Sequence, residues 1–238
     1  MSEVDRDALS RLTSGADSYW PFWTPDGSRI FFQSNRTGPW NIFWIAVDRT
    51  GPEEQLVRGD RAVVAHFTSP DGRELVYGDI SPGGPPNVWS IPVKEPRSPR
   101  RLELQNTVIL SPVLSPDGRW LAYAGNDSGR SEVYAQRFPE GGLIRQVTRD
   151  GGQTPAWARN GRELFYVADE RVKAIEVMSS GSELAFGKPR DLFKIPFPLF
   201  GPGVPLEVSP DGQRFLFVKQ GAAEPGPTQI NFVVGAGF

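Results

Sequence analysis

His66 is the only histidine in the chain and there is no cysteine, so few groups could act as nucleophile, general base or soft metal ligand. Disulfides, thiolate nucleophiles, zinc-thiolate sites and multi-histidine metal sites are excluded by inventory. No Gly-x-Ser-x-Gly elbow occurs, which leaves the familiar nucleophile and base pairs without members. GSELAFGKP at residues 181–189 approaches a phosphate-binding loop. It places five residues between its glycines where four are needed, and Pro189 follows Lys188 where Ser or Thr should stand. It reads as a loop leading into a strand. Asp26, Asp71, Asp117 and Asp211 recur at regular intervals, but each lies in its own Pro-Asp-Gly turn and has a local bond to make there. The sequons at Asn35 and Asn126 fall in loops that are polar in any case. The expectation is a chain that uses no metal and no cofactor and is not an enzyme.

The elements holding these residues are set by a repeat. TPDG at residues 24–27 returns as SPDG at 69–72, 115–118 and 209–212, with a degenerate copy, ARNG, at 158–161. Spacings of 45, 46, 43 and 51 residues separate Asp26, Asp71, Asp117, Asn160 and Asp211, a period that belongs to propellers or solenoids. After each turn, SRIFFQSN, RELVYGDI, RWLAYAGN, RELFYVAD and QRFLFVKQ align without a gap. Ile30, Leu75, Leu121, Leu164 and Phe215 form one column; Phe32, Tyr77, Tyr123, Tyr166 and Phe217 form another two residues later. That is the period of a strand with one face committed to a core, strand B. Strand A precedes the turn and carries Trp23, Thr68, Leu114, Trp157 and Val208 in one column. Pro fixes φ, Asp bonds the backbone two residues on, and Gly takes the positive φ, so the motif is a hairpin turn. Strand C follows at Asn41, Asn87, Glu132, Val172 and Ile230, and strand D at residues 55–57, 101–104, 143–147 and 191–195.

The fifth unit has no strand D of its own. ALSRLT at residues 8–13 reads like one, and pairing it with residues 229–234 would close a ring whose open edge invites aggregation. The predicted fold is all-β, a single five-bladed propeller of four-stranded antiparallel blades over residues 1–238. The blades span about 15–57, 58–104, 105–148, 149–195 and 196–238, the last completed by 8–13.

Composition agrees with strands and tight turns: 38% hydrophobic residues with 15 Phe and 7 Trp supply a core, while 26 Gly and 23 Pro imply many short connections. A net charge of -2 gives no general attraction to nucleic acid or anionic lipid. The polar N-terminus and the lack of a long apolar run predict a soluble chain without export signal, which leaves room for a signal or anchor on a longer parent.

The Pro-Asp-Gly units, each followed by a strand such as GRWLAYAGN and a segment such as DSGRSEVYAQRF, resemble TolB-type propeller repeats over nearly the whole chain. More narrowly, SPVLSPDGRWLAYAGNDSGRSEVYAQRFPEGG, GGQTPAWARNGRELFYVA and the terminal QINFVV are similar to the propeller regions that follow the membrane span of many bacterial serine/threonine protein kinases. The resemblance implies an extracytoplasmic bacterial domain that works as a sensor or scaffold. Related repeats also form the lids of prolyl oligopeptidase-type enzymes, and TolB-type rings usually have six blades where five are counted here.

In a propeller strand A is innermost, so the D–A and B–C loops gather at the channel mouth, where function on this fold usually lives. The candidate ligand-binding residues are Asp17, Tyr19, Trp20, Trp40, Arg61, Gln105, Asn106, Asp150, Gln153 and Phe200. PFPLFGPG, which contains Phe200, is either an exposed contact patch or a plug over the channel. Trp23, Trp44, Trp89, Trp120 and Trp157 lie within strands and read as sheet packing, with Trp44 and Trp120 as candidates to face outward. His66 shares its position with Pro21, Pro112, Pro155 and Leu206, which favours packing over a ligand contact. The function expected is a monomeric, non-catalytic module binding a protein, peptide or small molecule, without nucleic acid or membrane insertion. The alternative is an accessory domain of a larger kinase or peptidase. A propeller lactonase has least support, since its carboxylate and histidine cluster cannot be drawn from this inventory.

Overall fold

The computed structural model describes residues 12–13, 16–79, 87–102, 109–126, 128–180, 183–197 and 206–217. The first sheet runs β1 (Ser18–Trp23), β2 (Arg29–Ser34), β3 (Asn41–Ala46), β4 (Glu54–Val57). The second runs β5 (Val63–Thr68), β6 (Glu74–Asp79), β7 (Val88–Pro92), β8 (Arg100–Arg101), and the third β9 (Leu110–Leu114), β10 (Trp120–Gly125), β11 (Glu132–Arg137), β12 (Arg145–Gln146). The fourth contains β13 (Gln153–Trp157), β14 (Glu163–Ala168), β15 (Arg171–Ser180), β16 (Glu183–Phe186) and β17 (Arg190–Lys194); β18 (Glu207–Val208) and β19 (Phe215–Leu216) begin a fifth unit. All pairings are antiparallel, and no helix occurs among the described residues. The expected closing pair, residues 8–13 with 229–234, lies outside the described residues except for Leu12 and Thr13, which are not in a strand.

The Pro-Asp-Gly turns are built as expected, with one part the sequence reading missed. Asp117 Oδ1 accepts from Arg119 N–H at 3.1 Å and Gly118 sits at φ 72°, while the Ser115 hydroxyl donates to Asp117 and accepts from Trp120 N–H at 2.9 Å. Thr24, Ser69 and Ser209 repeat this. The hydroxyl bond is the largest cause that holds Asp26 down at about 2 and lowers Asp71 and Asp211. The degenerate turn keeps the Asn160 to Arg162 N–H bond at 2.9 Å and loses only the hydroxyl, because Ala158 replaces it.

Both faces of strand B are buried, each against a different neighbour. Leu75 and Tyr77 pack on the first sheet with Phe31, Ile42 and Trp44. Val76 and Val88 pack against Leu121, Tyr123 and Tyr134 of the third. Trp120, Ala122 and Ala135 meet Leu164, Tyr166 and Ile175 of the fourth, and Phe165 and Val172 meet Phe215 and Phe217 of the fifth unit. The two sequence columns are therefore the face turned to the preceding sheet. Trp44 and Trp120 face inward, whereas Trp23, expected to pack, is 57% exposed at the end of β1.

Three of the first strands share an irregularity. Register slips at Trp20-Pro21, Ser111-Pro112 and Thr154-Pro155, and Trp20, Ser111 and Thr154 stand at φ 49°, 48° and 49°. Proline lacks the N–H a ladder needs, so each strand bulges around it. In β5 the equivalent slip falls at His66. His66 Nε2 lies so close to the neighbouring strand that a Cβ on Gly78 would stand 2.8 Å from it.

Burial pushes the His66 pKa from 6.5 down to about 4. The unfolded chain takes up this proton first, so the stability of the neutral form is full above pH 6.5 and is lost as pH falls toward 4. The loss reaches up to about 3 kcal/mol. The denaturation midpoint of the wild type is expected to fall between pH 7 and 4.5, and that of His66→Gln to stay flat. Equal slopes for the two proteins would show that His66 does not control this range.

The segment GSELAFGKP differs from expectation. Residues 183–186 form a strand, β16, paired with Val177, Met178, Ser179 and Ser180, instead of a loop. Leu184 and Phe186 pack inward against the third and fourth sheets, which gives the segment a period of two.

Candidate functional site

The loops expected at one rim are bonded to each other at two sheet junctions. Between the first and second sheets, Val63 N–H donates to Trp40 O at 2.8 Å and Gly59 N–H to Asn41 Oδ1 at 2.9 Å. Between the third and fourth, Gly152 N–H donates to Ser131 O at 2.9 Å, and the Ser131 hydroxyl returns a bond to Gly152 O at 2.9 Å. Asn41 and Glu132 hold the same position at the start of strand C. Glu132 is 0% exposed; its carboxylate accepts from Gly151 N–H at 3.1 Å, from the Thr148 hydroxyl, and from Arg130 Nε at 2.6 Å.

The candidate residues fall into two groups. Tyr19 meets Trp40 edge to face at 5.2 Å, and the Ser34 hydroxyl donates to Asp17 O at 2.8 Å. Tyr19 is 55% and Trp20 64% exposed, and the Val63 to Trp40 bond brings the loop of Arg61 to the same junction. Asp150 and Gln153 form the second group, where Asp150 lies 3.7 Å from the Arg130 guanidinium. Gln105, Asn106 and Phe200 lie outside the described residues.

Two features escaped the sequence reading. The hydroxyls of Ser111 and Thr154 are buried without a hydrogen-bond partner among the described residues, at bulges equivalent to the one that turns Trp20 to solvent. A hydroxyl before proline in strand A was the available signal. In addition, a cavity of about 690 Å³ opens between the third and fourth sheets at the opposite end, lined by Trp120, Trp157, Asn160, Arg162 and Met178. A second, of about 520 Å³, lies nearer the outer edge with Arg149, Tyr166, Lys173 and Phe186. Burial first, and then the Asp191 carboxylate, push the Tyr166 hydroxyl up to about 12, so it stays a donor at neutral pH. β15 walls both cavities, and β16 only the second. No three carboxylate or histidine side chains converge as a metal site among the described residues, and no helix there is long and apolar enough to cross a membrane.

No family model and no curated protein matches the chain. Solved structures do. TolB from Acinetobacter baumannii matches with a TM-score of 0.67 at 18% identity over 88% of this chain, which spans only 50% of that protein. A functionally unknown protein from Desulfotomaculum acetoxidans matches with a TM-score of 0.61 at 13% identity, over 91% of this chain and 71% of that one. The periplasmic gluconolactonase of Pseudomonas aeruginosa matches with a TM-score of 0.58 at 17% identity, over 94% and 73%. The fold is thus that of the TolB-type propellers and their lactonase-like relatives. The expectation that the chain is not an enzyme falls with the last match. That expectation leaned on missing nucleophile and base pairs, and a fold that carries a lactonase gives it no support.

Proposed function

We propose that this chain is a ligand-binding propeller of five sheets that takes a protein segment, peptide or small molecule at the junction of Asp17, Tyr19, Trp20, Trp40 and Arg61. The observation that carries the reading is the aromatic group: Trp20 and Tyr19 present large apolar faces to solvent, and Trp20 does so from a left-handed backbone. Such strain costs about 1–3 kcal/mol and gathers at functional sites. Asp150 and Gln153 extend the same rim. Ring closure by residues 8–13 is supported by the first sheet, whose Phe32, Phe43 and Ile45 are buried with Leu12 packed against them. An extracytoplasmic sensor or scaffold, as part of a longer protein, is the role that fits the TolB likeness. An accessory propeller of a kinase or peptidase would use the same face.

A thermal-shift screen of random peptides, sugar acids and sugar lactones tests the reading. Trp20→Ala is expected to weaken any hit at least tenfold, about 1.4 kcal/mol, and Trp23→Ala, at the far end of the same strand, to leave it unchanged. A hit bound equally by Trp20→Ala and Tyr19→Ala would move the site elsewhere. The gluconolactonase likeness favours a second reading in which the ligand is a sugar lactone. Acid release from gluconolactone by the purified chain would establish it.

A further inference from the structure

We propose that the cleft between the third and fourth sheets is a second binding site, which takes an extended peptide: its backbone pairs with the edge of β15 at Ser179 that no described strand covers, and one apolar side chain enters the cavity between Trp120 and Trp157. The cleft lies at the end of the sheets away from the rim, and the proposal does not rest on the rim.

The first observation is the cavity itself, about 690 Å³ with two indoles, Val177 and Met178 among its walls. It is a volume suited to a large side chain and its flanking backbone. Its wall at Glu176 to Ser179 is the part of β15 that runs on to pair with β16, a hairpin without counterpart in the three four-stranded sheets.

The second is a strand edge left unpaired by the described residues. The partner β14 begins at Glu163, opposite Glu176, and Val177 N–H makes the last bond on that side, to Arg162 O at 2.8 Å. On the other side Glu176 O accepts from Gly187 N–H at 3.0 Å, and β16 covers Val177 to Ser180. Alternate residues point to opposite edges of a strand. The N–H and C=O of Ser179 therefore face away from β16, to the side that β14 has left, and Ser179 is an exposed residue of the cavity wall. One donor and one acceptor on a single residue are the pair that an added strand satisfies.

The third is Trp120. It is 3% exposed, lines the cavity, and its indole N–H has no acceptor among the described residues. The indole of Trp157 differs, since it donates to Val113 O at 3.3 Å. A peptide carbonyl that reaches this buried N–H would give Trp120 an acceptor. A sugar would use the indoles too, but only a peptide backbone repeats the N–H and C=O spacing of a strand edge.

The experiment selects a phage-displayed library of random nine-residue peptides on the immobilised chain and measures binding of the enriched peptides to variants. Ser179→Pro removes the edge N–H and is expected to weaken binding at least tenfold, whereas Ser179→Ala stays within twofold. Trp120→Phe, which keeps a ring and removes the N–H, is expected to weaken it severalfold. N-methylation along the peptide should abolish binding at the position that pairs with Ser179, a readout that needs no altered protein. The proposal is overturned if no peptide is enriched, if N-methylation is tolerated throughout, or if enriched peptides respond to Trp20→Ala and not to Ser179→Pro.

Discussion

Phe31→Ala is expected to destabilise the protein by about 3–5 kcal/mol, the range for deleting a buried aromatic ring. Phe31 is 0% exposed and lies between two rings, stacked with Phe22 at 4.9 Å and with Trp44 at 5.8 Å. It also belongs to the core that joins the first sheet to the second. The cavity left by its removal therefore weakens two sheets at once. Domains of this kind hold about 5–15 kcal/mol in total, so the loss is a large part of it. Urea denaturation followed by tryptophan fluorescence measures it, with Phe31→Leu expected to recover about half. Trp23→Ala, at an exposed ring in the same sheet, should stay within about 0.5 kcal/mol. A loss below about 1 kcal/mol for Phe31→Ala would mean that the two sheets are not held by this contact.

Glu132→Ala is expected to cost about 2–4 kcal/mol, through the donors it strands. The Gly151 N–H and the Thr148 hydroxyl would be left without their acceptor, each at about 1–3 kcal/mol. Arg130 contributes little to this, because its guanidinium is more than half exposed and water can replace the carboxylate. Arg130→Ala should accordingly fall below about 1 kcal/mol. Because Gly151 belongs to the loop that carries Asp150, hydrogen exchange at its amide should speed up in Glu132→Ala while the core of β10 stays protected. An unchanged Gly151 amide would show that the carboxylate does not hold this loop.

The repeat made strands A to C legible, since a turn with fixed backbone demands put the same columns of Leu, Tyr and Phe at fixed distances from it. Strand D was legible in place and poor in extent. Residues 143–147 were expected, and only Arg145 and Gln146 pair, because an outer strand has one partner and its ladder ends early. The bulges were hidden by the assumption of an even period of two, although Pro21, Pro112 and Pro155 inside a strand were the sign of a break. The β16 strand was missed because GSELAFGKP was weighed only as a phosphate loop. Its alternation, with Leu184 and Phe186 inward, continues the period of Val177. The expectation against enzymatic activity failed for another reason: a residue inventory excludes only the catalytic sets it is compared with. Tyr19 and Trp40, both singled out in the sequence, meet in the structure, while the buried hydroxyls of Ser111 and Thr154 had a signal, a hydroxyl before proline in strand A, that was not weighed.

Because each sheet turns one set of side chains backward and a different set forward, units alike in backbone differ in surface. The third sheet offers Leu121, Tyr123 and Tyr134 to the second and Trp120, Ala122 and Ala135 to the fourth. Excising it would press Val76 and Val88 onto Leu164 and Tyr166, shapes that never grew together. Tandem copies invite gain and loss by unequal recombination, yet each of the four described junctions is a lock with its own key, so a unit lost or gained there would meet a surface of the wrong shape.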